Sequence, residues 1–225
     1  MKIIELDEVD STNEFCKRAG NFDMLVTAVR QTAGKGTKGR SFVSDEGGLY
    51  VSIMRRFEKF NTAEAFTIMV NACVAVCKTM EHFGLRPVIR WANDVLVGGK
   101  KICGTLIENS FSGSNISRSI IGMGININNV LPAELSKIAT TMSAELGKPL
   151  SVKEVRTELI KNLRKEYNIQ EYKNYIDWFG REITLKTSDG EFTAIAADVD
   201  LDGGLLCVVA GTVKKISAAE VSLRL

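Results

Sequence analysis

The chain has 225 residues, 45% of them hydrophobic and 25% charged, which is the profile of an ordinary globular protein. This length holds one large domain, or one domain with a small appendage, and the composition excludes a disordered tail, a collagen-like fibre and a coiled coil. Lys and Arg number 29 against 27 Asp and Glu, so the net charge of +2 gives no global basic character. No apolar run approaches the ~18 residues of a membrane span. Glu5, Asp7, Glu8 and Asp10 interrupt the first eleven positions, where an export signal would be apolar. The five cysteines show no CxxC spacing, which predicts reduced, buried thiols and a cytoplasmic protein. Cys73 and Cys77 are four apart, but a single histidine, His82, gives them no metal-binding company.

In chain order, residues 1–6 read as a short strand. Ser11 reads as the N-cap of a helix over 12–19, its hydroxyl accepting a free N–H of the first turn. An apolar strand over 24–30 is followed by a polar, Gly-rich loop over 31–47 and a second strand over 48–54. Residues 61–83 form the clearest helix, with Phe66, Met69, Val70, Cys73, Val74, Cys77, Met80 and Phe83 at three- and four-residue steps. Its apolar stripe is wide enough to require a sheet beneath it. Residues 88–97 and 100–108 read as a hairpin turning at Gly98-Gly99. A buried strand over 117–127 and helices over 136–147 and 151–172 complete this part. After Gly180 the pattern becomes short strands broken by Ser188-Asp189-Gly190, Asp202-Gly203-Gly204 and Gly211. The expected architecture is α+β: a mixed sheet with helices packed on it over 1–179, and a small β-barrel-like domain over 180–225. The second unit is too small for a strong core of its own and should dock on the first.

Two segments carry chemistry. The loop Arg30–Arg40 holds Arg30, Lys35, Lys38 and Arg40, no acid, and Gly34, Gly36 and Gly39. Exposed N–H groups and cations together suit an oxyanion such as phosphate. Gly34-x-Gly36-x-x-Gly39 is a literal GxGxxG, and Gly34–Ser41 is one residue from a Walker A pattern. Both need a helix to follow, and here a strand follows. In the hairpin, Asn93 and Asp94 open one strand while Lys100 and Lys101 open the other. Alternation puts the two lysines on opposite faces, so one of them can turn inward toward an anionic partner. Gly104 leaves room for a ligand to approach the backbone. Asp10-Ser11-Thr12-Asn13 is, by itself, a helix cap.

Together these pieces resemble the biotin–protein ligase family. The matching stretches are DSTN at 10–13, QTAGKGTKGR at 31–40, GGLYVSI at 47–53, RWANDVLVGGKKICGTLIE at 90–108 and IGMGININ at 121–128, with a C-terminal ISAAEVSLRL. The resemblance covers essentially the whole chain. It implies the class II aminoacyl-tRNA synthetase/biotin ligase-like fold with a C-terminal SH3-like barrel. It implies activation of biotin by ATP with Mg²⁺, then transfer to a lysine of the biotin carboxyl carrier domain of a carboxylase such as acetyl-CoA carboxylase. Ser11, Thr12, Asn13 and Gln31 would hold the biotin head, and Lys35, Gly36 and Thr37 would close over its tail. Lys101 would sit between the carboxylate and the α-phosphate, and Gly104 would line the cleft. Arg40 would meet the ATP phosphates, and Phe42, Asn93 and Asn126 would line the adenine side. Asp94 would handle Mg²⁺ or orient the incoming lysine. Some members carry an N-terminal DNA-binding helix-turn-helix, for which the catalytic motifs beginning at residue 10 leave no room; neither nucleic acid nor membrane is implied as a partner.

Departures stand at the loop, where the family is arginine-rich. Lys35 and Lys38 keep charge without the bidentate fork, and Thr37 loses the charge altogether. Phe42 replaces a tryptophan, and Ala92 replaces a proline. A lipoyl or octanoyl transferase and a non-catalytic biotin sensor are the alternatives. A homodimer through edge strands is compatible with the sequence.

Overall fold

A computed structural model of the chain describes residues 2–20, 22–187, 190–217 and 222–224. Strand β1 (Lys2–Val9) leads into helix α1 (Thr12–Arg18), and β2 (Met24–Gln31) returns parallel to β1. Next come β3 (Leu49–Arg56), α2 (Phe66–His82), β4 (Val88–Arg90), β5 (Asp94–Val97), β6 (Lys100–Ser112) and β7 (Asn115–Ile125). These seven strands form one mixed sheet in the order β1-β2-β3-β7-β6-β5-β4.

Strand alternation sends side chains to two cores. On β3, Met54 faces α1 and packs with Cys16, Met24, Val26 and Ile120. Val51 and Ile53, one residue out of phase, join the larger core under α2. That helix is the one read most clearly from its spacing, and Val70, Cys73, Val74, Cys77 and Met80 are fully or almost fully buried. One expectation fails here. The 21 residues Thr62–His82 contain an 18-residue window of mean hydropathy 1.3, long and apolar enough for a membrane span by length and composition alone. Its composition reflects a wide apolar face buried against the sheet and α4 (Val152–Asn162), while Thr67, Lys78, Glu81 and His82 stay exposed. All five cysteines are buried and free. Burial pushes the Cys73 thiol up to about 12, consistent with an inert core residue.

The helix expected over 136–147 is confined to α3 (Met142–Leu146). Residues before it are drawn along the start of β6 instead: Lys101 N–H donates to Ile138 O at 2.9 Å, and Thr140 N–H donates to Lys101 O at 2.9 Å. Tertiary pairing overrides local spacing there. The helix expected over 151–172 is two, α4 and α5 (Ile169–Lys173), the second opened by a capping box between Asn168 and Glu171. The run expected over 88–97 likewise breaks into β4 and β5 around a turn at Trp91–Asn93. Tyr172 donates its hydroxyl to Ala92 O at 2.8 Å across this turn.

The remaining strands, β8 (Glu182–Thr187), β9 (Gly190–Val199), β10 (Leu205–Val209), β11 (Thr212–Ile216) and β12 (Ser222–Arg224), form an antiparallel sheet in the order β11-β10-β9-β8-β12. Ser188 and Asp189 of the expected 188–190 turn lie outside the described residues. The small sheet shares the large core through Ile183, Leu185, Ala196 and Leu205. It also holds the Trp91 turn directly: the buried Trp91 indole donates to Gly203 O at 2.9 Å. Trp178 donates to Ile89 O at 2.8 Å, fixing the preceding strand.

Candidate ligand cleft

A narrow cleft opens on the α1 face of the large sheet, where the N-terminus of α1 meets β2, β6 and β7. Gly104, Gly122 and Gly124 form its floor, facing Ser11, Thr12, Asn13, Gln31, Lys35 and Phe42. A Cβ on Gly122 would overlap the Asn13 carboxamide, and one on Gly124 would lie 2.5 Å from the Phe42 ring. Glycine is what lets these side chains lie flat on the strands. Two larger hollows, of about 500 and 540 Å³, lie at the far end of the sheet around Arg55, Arg56 and Arg118. They are open to solvent and contain none of the motif residues, so the small cleft is the better candidate.

The blind end of the cleft is polar and almost fully wired. Gln31 Oε1 accepts from Thr12 N at 2.8 Å, and Gln31 Nε2 donates to Ser44 Oγ at 2.8 Å. Ser52 Oγ lies 2.7 Å from Thr12 Oγ1 and 2.6 Å from Asn13 Oδ1. A hydroxyl has one proton, and the amide oxygen can only accept. Ser52 therefore donates to Asn13, and the Thr12 hydroxyl supplies its own proton to Ser52 or Gln31. Asn13 Nδ2 donates to Glu108 Oε2 at 2.8 Å, which fixes the amide's orientation. Ser11 departs from expectation. It occupies the N-cap position of α1, but its side chain makes no capping bond; the neighbouring Thr12 N–H is taken by Gln31. Its hydroxyl is buried at the cleft and left to a ligand.

The glycine loop folds over this end. Gly36 N–H donates to Arg40 O at 2.6 Å, and Phe42 N–H donates to Gly34 O at 2.8 Å, closing a tight excursion. Lys38 and Gly39 take left-handed backbone angles at its tip, with φ of 57° and 72°. Lys35 Nζ reaches Glu14 Oε1 at 2.6 Å, and Lys17 binds the same carboxylate at 2.7 Å. Lys17, then Lys35, hold the Glu14 carboxyl below its usual range. Thr37 and Arg40 stay on the outer side, where the Arg40 guanidinium touches only Thr37 O, at 3.4 Å, among the described residues.

At the open end Lys101 turns inward and Lys100 outward, the latter donating to Ser136 O. Lys101 Nζ lies 2.7 Å from Asp94 Oδ1 and 5.7 Å from the centre of the Phe42 ring. The contact with Asp94 lacks the angle of a directed hydrogen bond, so it is an ion pair that leaves the ammonium's protons available. Arg90 holds the other carboxylate oxygen at 2.7 Å. Asn93 spends its amide on Thr105 O at 2.8 Å. Asn126 is buried, and its Oδ1 accepts from Asn129 at 3.2 Å.

The structure thus brings Ser11, Thr12, Asn13, Gln31, Lys35, Phe42, Lys101 and Gly104 around one cleft, with Asp94 behind Lys101. It sets Gly36, Thr37 and Arg40 on the loop above, and Asn93 and Asn126 in the supporting framework. Sequence reasoning missed Ser44, Ser52, Glu108, Gly122 and Gly124. Ser52 is a lone polar residue within the buried strand LYVSIM, which was the one available local signal.

A family model described as "Biotin/lipoate A/B protein ligase family" matches residues 7–126, and one described as "Biotin protein ligase C terminal domain" matches residues 179–224. The chain belongs to the biotin/lipoate A/B protein ligase family. The fold expected from the sequence is the one found: a mixed sheet with helices, and a small antiparallel unit of the SH3-like kind. A solved biotin protein ligase from Aquifex aeolicus, in complex with biotin and ATP, superposes with a TM-score of 0.82 at 29% identity, over 99% of this chain and 98% of that one. Among curated relatives, the bifunctional ligase/repressor BirA of Bacillus subtilis is 31% identical over 88% of this chain and 66% of its own length. A biotin–[acetyl-CoA-carboxylase] ligase of Paracoccus denitrificans is 33% identical over 54% of this chain and 53% of its own.

Asp94 does not fit a resident metal. Its carboxylate is already flanked by two cations, and among the described residues no group of three His, Cys, Asp or Glu side chains could hold an ion.

Proposed function

We propose that this family member is an ATP-dependent biotin–protein ligase that forms biotinyl-5′-AMP and transfers biotin to a lysine of a carboxylase carrier domain in the cytoplasm. We take residues 1–179 as its catalytic domain and 180–225 as its C-terminal domain. The observation that carries the choice of biotin over lipoate is the polar blind end. A ureido ring offers two N–H donors and a carbonyl acceptor to Ser11, Thr12, Asn13 and Gln31. A dithiolane offers none: it would leave the buried Ser11 hydroxyl unmatched and set an apolar ring against a polar wall.

In the first step a biotin carboxylate oxygen attacks the α-phosphorus of ATP, and the bond to pyrophosphate breaks. Two anions must meet, so the barrier is largely electrostatic. Lys101, steadied by Asp94, neutralises the charge between carboxylate and α-phosphate, and Arg40 takes the departing phosphates. Phe42 supplies an aromatic face on the adenine side, while Asn93 and Asn126 hold the backbone that borders it. Lys35, Gly36 and Thr37 cover the biotin tail and exclude water from the mixed anhydride. In the second step a neutral carrier amine attacks the acyl carbon, AMP leaves and the amine sheds a proton. Asp94 orients that amine.

Incubation with labelled biotin, MgATP and a carrier domain tests this reading: label should enter the carrier only when ATP is present. Label that never enters the carrier, despite tight biotin binding, would favour a sensor. Thr37 places no cation over the acyl phosphate, so Thr37→Arg should slow adenylate escape several-fold. An unchanged escape rate, read by trapping released adenylate, would count against the loop role.

A further inference from the structure

The cleft is too small for the ligand its walls suit. Its free volume is about 30 Å³, space for a water or two, whereas sites for small ligands run to roughly 300–1,000 Å³. Two side chains occupy the floor: Lys101 Nζ would lie 2.8 Å from a Cβ on Gly104, and the Phe42 ring covers Gly124. The Phe42 ring lies on the glycine floor: Cβ atoms on Gly124 and Gly104 would fall 2.5 and 3.4 Å from its atoms. It stands edge-on to Tyr50, with ring centres 6.5 Å apart, and within cation–π reach of Lys101. The loop is fastened in this pose at both ends. Phe42 O accepts from Ser44 Oγ at 2.9 Å, and Lys35 is tied to Glu14.

The geometry points to Phe42 as a resident plug. In the free protein its ring occupies the glycine-floored slot, and biotin enters only when the ring leaves. This rests on the reading of the cleft as a biotin site. The apparent affinity for biotin then carries the cost of emptying the slot, because only the open fraction binds. The ring released from the floor is free to meet the nucleotide, so one residue serves as a gate before binding and a wall after it.

The association kinetics of labelled biotin with the full chain, without ATP, test the plug by rapid filtration. Truncating a side chain that only walls the bound ligand changes mainly the dissociation rate, whereas truncating a plug changes entry. In the wild type the observed association rate should level off at high biotin, limited by departure of the ring. In Phe42→Ala it should rise linearly and exceed the wild-type rate roughly tenfold, the population effect of removing about half of a buried phenyl side chain's burial energy. Thermal melting confirms that the variant is folded. If the wild type binds biotin with a linear dependence, and Phe42→Ala is no faster, the plug is wrong and the site stands. Should neither protein bind biotin, the cleft reading fails and takes the plug with it.

Discussion

Lys101→Ala should lower the rate of adenylate formation by about a thousandfold, equivalent to ~4 kcal/mol of barrier, while biotin still binds. Lys101 is the inward lysine of its pair, and its ammonium lies 2.7 Å from Asp94 at the open end of the cleft. Asp94 is shared with Arg90, so the lysine is steered without being consumed. Neutralising repulsion between two reacting anions is most valuable in a water-poor site, and Arg90, the other cation on Asp94, is committed to the opposite carboxylate oxygen. Lys101→Arg should restore only part of the rate, because the fork needs space that the Phe42 ring and Gly104 confine. Single-turnover formation of adenylate from labelled ATP measures this. A Lys101→Ala protein with near wild-type turnover would remove the lysine from the chemistry.

Gly122→Ala should weaken biotin binding by about a hundredfold or more and cost roughly 1–3 kcal/mol of stability. An added Cβ would overlap Asn13 Oδ1. That amide cannot swing aside cheaply: Ser52 holds its oxygen and Glu108 its nitrogen, both within 2.8 Å. Moving it breaks two buried bonds; keeping it strains β7. Either way the floor and the polar end lose register. Equilibrium binding of labelled biotin, with a thermal melt alongside, decides the matter. Unaltered affinity would mean that the ligand's ring lies elsewhere.

The contrast between these two residues shows what is legible in the chain alone. Lys101 can be found because hairpin alternation is local, and one of two adjacent lysines has to face inward. Helix α2 is legible from its apolar steps for the same reason. Gly122, Gly124 and Glu108 are not legible from the residues alone, and Ser52 only as a lone polar residue in a buried strand. Gly122, Ser52 and Glu108 matter through Asn13, 95 positions from Glu108, and Gly124 through Phe42. The cap expected at Ser11 is not made, and the first helical N–H, that of Thr12, is bonded instead by Gln31 from β2. The helix expected before α3 fails where residues 138–140 pair with Lys101 across the fold. Local pattern locates the motifs; the long-range bonds give them their geometry.

Exchange of labelled pyrophosphate into ATP reports reversal of the first chemical step and needs no carrier protein. With the full chain, exchange should appear when biotin is added, be absent without it, and not be supported by lipoate. Wild-type protein that binds biotin yet exchanges no label above the biotin-free background would contradict the adenylating role assigned to this cleft.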